Sequence, residues 1–206
     1  MPQPLTSLAT KALTIILKNS LSLVSILANR LVYLDGVIDD PLANALSAQI
    51  LYLNAEDNAI PILLFINTQG GSVTAGLAIY DTIKYINAPV WTVGVEVVAG
   101  IGALLLSAGA KGNRSLLPES TVALTRISSN LDNTPGTLEE IAAKEVDRIH
   151  DLIIYAFASE TSRSFSEICD FMQDECAFKP DRAVQYGFAD TTISTHTLLR
   201  LITYRQ

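Results

Sequence analysis

Between Ile62 and Ala110 the chain repeats one local pattern twice, and that repetition constrains the fold more than any other feature. The apolar run Ile62-Leu63-Leu64-Phe65-Ile66 ends in Asn67-Thr68-Gln69-Gly70-Gly71-Ser72, and a helical pattern follows with Gly76, Ile79, Tyr80, Ile83 and Ile86 on one face. This reads as strand, glycine turn, helix. The second unit has Val90-Trp91-Thr92-Val93-Gly94-Val95 as its strand and Ala99 to Ala110 as a helix rich in small residues. Strands joined through helices lie parallel, so the chain is expected to form an α/β domain around a mainly parallel sheet.

Glycines in such turns let backbone N–H groups approach a ligand, and the start of the following helix favours negative charge. An oxyanion, a phosphate or a peptide carbonyl would each suit that environment. Neither turn has the Walker A spacing or the dinucleotide GxGxxG pattern.

The remaining elements extend the alternation. Arg30-Leu31-Val32-Tyr33-Leu34 reads as a strand, and Asp40-Pro41 opens a helix with Leu42, Ala45, Leu46, Gln49, Ile50 and Leu53 as its inward stripe. Short strands are expected at Leu116-Leu117 and Thr121–Leu124, around Pro118. A capping box, Thr137-Leu138-Glu139-Glu140, starts the longest helix, which runs to about Ser159 with Leu138, Ala142, Val146, Ile149, Ile153 and Ala156 on one side. Glu140, Lys144, Asp147 and Arg148 form its solvated face. A second box, Ser164-Phe165-Ser166-Glu167, opens a shorter helix ending near Glu175, and a third helix from Pro180 to Tyr186 is closed by Gly187.

Composition narrows the function classes. A length of 206 residues suits one domain with a sizeable core. Hydrophobic residues make up 49% and charged ones 17%, a greasy balance for a lone domain, so other subunits are expected to cover the surplus. A net charge of −7 without basic clusters argues against nucleic acid. Cys169 and Cys176 make neither a disulfide framework nor a metal site, and no cofactor is expected. The histidines, His150 within the long helix and His196 in the tail, read as surface or interface residues. Leu5 to Ala28 is too polar and broken for a membrane span and lacks the layout of a signal peptide. It reads as an amphipathic, divergent segment (1–28) ahead of one domain (29–206).

The literal wording goes further. Ile66 to Thr82 and Ala103 to Arg114 closely resemble the proteolytic subunit of the Clp protease, the caseinolytic serine peptidases, and the similarity runs from Asn29 to about Ser194. The resemblance implies the fold shared with crotonases: repeated βα and ββα units with a protruding handle, here around 126–159. It also implies where a catalytic triad would stand. The family nucleophile sits in an Ala-Ser-Met-Gly-Ala pattern, and this chain reads Ala99-Gly100-Ile101-Gly102-Ala103. The family histidine follows a strand after a proline, and the matching position after Pro118 is Thr125. The family aspartate falls on Glu175, counting back from Ala183-Val184-Gln185-Tyr186-Gly187. An oxyanion hole is implied at the Gly71 and Ile101 N–H groups, and contacts to a substrate strand at Gly70, Gly71 and Arg126.

A serine is nucleophilic only when a base takes its proton and a third group orients that base. Gly100 has no side chain and Thr125 is not a base near neutral pH. The resemblance therefore implies an R-type, nonproteolytic subunit beside active paralogues in a mixed ring, with unfolded proteins passing through the chamber. The opening residues do not match the family's axial-loop pattern, so any contact with a Clp unfolding ATPase is expected through the assembled complex. Asp174-Glu175-Cys176 stands where active members carry Arg-Asp-Arg, and such acidic pairs would repel across a homotypic interface. Cytoplasm, or plastid stroma, is the implied compartment. Two alternatives remain at this point: a crotonase-type acyl-CoA-binding enzyme, and a stand-alone peptide-binding scaffold.

Overall fold

The computed structural model describes residues 27–125, 137–194 and 197–198, with side chains of the long helix described from Glu145 onward. The opening segment, Arg126, His196 and the capping box at Thr137 lie outside these described residues and side chains.

The sheet is mainly parallel, as the tandem βα units require. Strand β1 (Leu31–Asp35) leads to helix α1 (Asp40–Glu56), β2 (Ile62–Thr68), α2 (Val73–Tyr85), β3 (Val90–Ala99) and α3 (Ile101–Ser107). The short strands β4 (Arg114–Leu116) and β5 (Thr121–Ala123) precede the long helix α4 (Thr137–Thr161). Helix α5 (Phe165–Gln173), β6 (Ala177–Phe178), α6 (Pro180–Gln185) and β7 (Thr191–Thr192) follow. The main path is β1-β2-β3-β4-β7, every pair parallel, and β6 pairs antiparallel with β5.

Strand β3 is longer than its sequence pattern suggests because its two halves serve different neighbours. Thr92–Gly94 pair with β4, whereas Val97–Ala99 pair with β5. Ala99 is thus ladder backbone, and the helix expected from Ala99 to Ala110 is confined to Ile101–Ser107. That helix is buried throughout, which is why small and aliphatic residues fill it.

Helix α1 packs Ala43, Leu46, Ile50 and Leu53 inward, a spacing of three and four that follows the helical repeat. Ala45, read as part of that stripe, is exposed, since it stands about a right angle away around the helix from that line. At the end of α1 the buried Arg30 guanidinium donates to the carbonyls of Leu53 (2.9 Å), Asp57 (2.7 Å) and Ile60 (2.9 Å) and fixes the turn into β2. The capping box at Ser164 is present in full, and Gly187 closes α6 with a φ of 82°. In α4, Ile153, Ile154 and Phe157 are buried, while Val146, Ile149 and Ala156 are half-buried.

The main core lies between the sheet and the helices; Leu31, Leu63, Phe65, Val93 and Val95 form a second cluster on the other face, against Leu117 and Leu198. Apolar side chains also remain outside. Tyr85 is 80% exposed and Val37 67%, and Leu51, Tyr52 and Tyr155 are exposed as well. Among the described residues no helix is long and apolar enough to cross a membrane.

Candidate functional site

The first glycine turn is held by the loop that follows β1. The Ile38 N–H donates to the Gly70 carbonyl at 2.9 Å and the Ser72 N–H to the Ile38 carbonyl at 2.8 Å, bridging Ile38 to Gly71 in parallel. Gly71 has a φ of 145°, and a Cβ there would lie 2.6 Å from the Ile38 nitrogen and closer still to its carbonyl oxygen. No other residue fits. The Thr68 hydroxyl donates to the Gly36 carbonyl at 2.5 Å and accepts from the Gly70 N–H at 3.0 Å, so the strand end is tied on both sides. Ser72 then caps α2, accepting from the Ala75 N–H at 3.3 Å.

The second turn is sharper. Gly100, with φ 55° and ψ −126°, carries the chain from β3 directly into α3. Its N–H donates to the Ala123 carbonyl at 2.9 Å, which fastens the turn to the end of β5. A strained strand-to-helix turn of this kind lifts whatever side chain it bears away from the sheet. Here it bears none. A Cβ at Gly100 would meet Thr125 Oγ1 at 3.0 Å, and the next nearest atom, the Gly70 Cα, is at 3.8 Å.

The two turns and the segment after β5 enclose a cavity of about 200 Å³. Gly70, Gly71, Gly100, Ile101 and Thr125 all line it, together with the exposed Gln69. Leu124, Ile153, Phe157 and Met172 give it an apolar wall. Among the described residues, neither the Gly71 N–H nor the Ile101 N–H donates to a backbone carbonyl.

The chain matches the Clp protease family model over residues 18–196, the greater part of its length and all of the cavity's walls. It belongs to the Clp protease family. Among its relatives, the "ATP-dependent Clp protease proteolytic subunit 2" of Prochlorococcus marinus (strain MIT 9312) is 41% identical over 165 residues, covering 80% of this chain and 81% of that protein. The "ATP-dependent Clp protease proteolytic subunit 3" of Synechococcus sp. (strain CC9902) is 39% identical over 168 residues, covering 82% and 84%.

Within this Clp family chain, the residues singled out from sequence divide into two groups. Gly70, Gly71, Gly100, Ile101 and Thr125 share one cavity. Glu175 does not line it. This glutamate is exposed at the turn between α5 and β6, with a φ of 49°, and its neighbour Cys176 accepts from the Leu124 N–H at 2.9 Å. It therefore stands in the turn just before β6, the strand that pairs with β5 ahead of Thr125. Arg126 lies outside the described residues. His150 lines a different cavity, with Cys169, Met172 and Gln173. Burial raises both cysteine thiols above their ordinary value, so neither is a thiolate near neutrality. No group of three or more His, Cys, Asp or Glu among the described residues could hold a metal ion.

Sequence reasoning missed the apolar wall, apart from Ile153. Phe157 and Met172 come from helices remote in the chain, and only their inward periodicity marks them. It also missed Glu160, only 5% exposed near the end of α4. The Tyr80 hydroxyl donates to its carboxylate at 2.9 Å, and the Lys84 ammonium pairs with it at 2.8 Å. The Glu160 carbonyl accepts from Arg114 Nη1 at 2.9 Å and from Lys111 Nζ. Arg114 also donates to the Ser107 carbonyl at the end of α3 (3.2 Å) and pairs with Asp190 at 2.6 Å. Burial works against ionisation of Asp190, but the hydrogen bonds and charge of Arg114 outweigh it and hold the carboxyl below its ordinary value. A charged residue on an inward helical position was the available signal for Glu160.

Proposed function

We propose that the chain is a nonproteolytic subunit of a Clp protease core, an R-type member that builds mixed rings with active paralogues. The observation that carries this reading is the pairing of Gly100 with Thr125: a turn suited to present a nucleophile has no side chain, and the group across from it is a hydroxyl. Acyl transfer needs a nucleophile and a base within reach of it. Nearby serines do not substitute. Ser72 is engaged as a helix cap, and the buried Ser107 hydroxyl donates to Ala103 and Phe188 carbonyls. Residues 29–206 form the Clp-type domain in this reading, with the handle around 126–159 and 1–28 as a separate segment.

Assembly follows from the surface. The exposed Tyr85, Val37, Leu51, Tyr52 and Tyr155 are apolar side chains of the kind that subunit contacts cover. Asp174 and Glu175 are both exposed at the end of α5 and favour an arginine-bearing neighbour over a second copy of themselves. The cyanobacterial relatives favour the cytoplasm, and contact with an unfolding ATPase is assigned to the assembled ring. A crotonase-type activity has less support, because a cavity of about 200 Å³ falls below the roughly 300–1,000 Å³ of small-molecule and cofactor sites.

Two measurements test the proposal. The purified chain should resist a serine-directed fluorophosphonate and cleave no peptide; covalent labelling on one of its own residues would overturn the nonproteolytic reading. Coexpressed with active paralogues and weighed by native mass spectrometry, it should enter rings of fixed composition. A stable homomeric double ring that ignores the paralogues would overturn the assembly reading.

A further inference from the structure

We infer that the cavity between the two glycine turns binds the C-terminal carboxylate of a peptide ending in an apolar residue, with Thr125 as the donor that selects the acid. The inference rests on reading the chain as a nonproteolytic subunit, since it is the side chain missing at Gly100 that leaves room beside Thr125. Three donors belong to residues that line the space: the N–H groups of Gly71 and Ile101, which donate to no backbone carbonyl among the described residues, and the Thr125 hydroxyl. A peptide carbonyl presents one oxygen, which the two N–H groups can take. A carboxylate presents two, and Thr125 can donate to the second.

The room for that second oxygen comes from Gly100. A side chain there would start 3.0 Å from Thr125 Oγ1 and fill the gap between the turns. With glycine the gap stays open, and the hydroxyl borders it. The apolar wall of Leu124, Ile153, Phe157 and Met172 suits one aliphatic side chain next to the terminal group. The carboxylate of Glu175, in the turn before β6, is exposed, so water and salt screen its repulsion. Peptides of this class are what the neighbouring active subunits would release into a shared chamber, so the site would retain products, not substrates.

The test compares an acetylated tripeptide ending in leucine, as the free acid and as the C-terminal amide, by NMR titration of the full chain. The acid should bind about tenfold or more tightly, as expected for a hydrogen bond to a charged group. Thr125→Val should erase that preference, and Thr125→Ser should keep it. Equal binding of acid and amide by the unmodified chain, or no binding of either at millimolar concentration, overturns the inference even if the variants fail to fold. Octanoate binding as tightly as the peptide acid overturns the peptide assignment. Cleavage of a longer peptide is followed by mass spectrometry in the same samples. It would sink the nonproteolytic reading separately, because the ratio of acid to amide affinity is read independently of turnover.

Discussion

The turn at Gly70-Gly71 and the turn at Gly100 line the same cavity, yet their glycines stand there for different reasons. At Gly71 a Cβ would collide with the backbone of Ile38, which cannot move without breaking the bridge that positions the turn. At Gly100 a Cβ would touch a single side-chain hydroxyl. The first glycine is a requirement of the fold. The second leaves a place that packing alone would let a side chain occupy, so its identity bears on chemistry more than on architecture. The same residue type thus answers a backbone collision in one turn and leaves an open position in the other.

Substitution separates the two turns, and the largest effect belongs to the first. Gly71→Ala should cost about 3–5 kcal/mol, from the backbone clash together with an unfavourable φ, and should abolish ligand binding. Urea unfolding measures it; a loss under about 1 kcal/mol would show that Ile38 yields readily. Next comes the anchor at the far end of the helix that follows the second turn. Asp190→Asn leaves the buried Arg114, which also holds the carbonyl end of α3, without its carboxylate, and should cost about 2–3 kcal/mol near neutrality.

That anchor also predicts a pH dependence. The folded Asp190 carboxyl lies below its ordinary value, so in acid the unfolded chain binds its proton first. The stabilisation is present above the ordinary aspartate value of about 4 and is lost as the pH falls through the folded value. The amide introduced by Asp190→Asn cannot titrate, so the acid limb of that variant's stability curve should be shallower than that of the unmodified chain; parallel limbs would contradict the assignment.

Gly100→Ser should have the smaller stability effect, about 1–2 kcal/mol from the left-handed φ alone, with no peptidase activity. Adding Thr125→His should restore weak cleavage of a fluorogenic peptide, with Glu175 as the orienting carboxylate. Activity of the single variant equal to that of the double would show that Thr125 does not occupy the base position.

The local elements and the class of the fold are legible in the residues alone. The paired glycine turns, the proline and serine helix starts and the capping box at Ser164 act within a few residues of each other, and their geometry is set by backbone chemistry that sequence displays directly. The parallel sheet followed from the same source, because a strand, helix and strand in succession leave few other arrangements. Where β3 ends is a matter of tertiary pairing, since its last residues are held by β5, a partner later in the chain. Long-range packing sets the rest of the site. It decides that Thr125 stands across from Gly100, that Phe157 and Met172 wall the cavity, and that Glu160 is buried with partners from α2 and the loop after α3. Each of these depends on contacts between segments far apart in sequence, and the free energy of such contacts comes from burial and pairing that no local pattern contains.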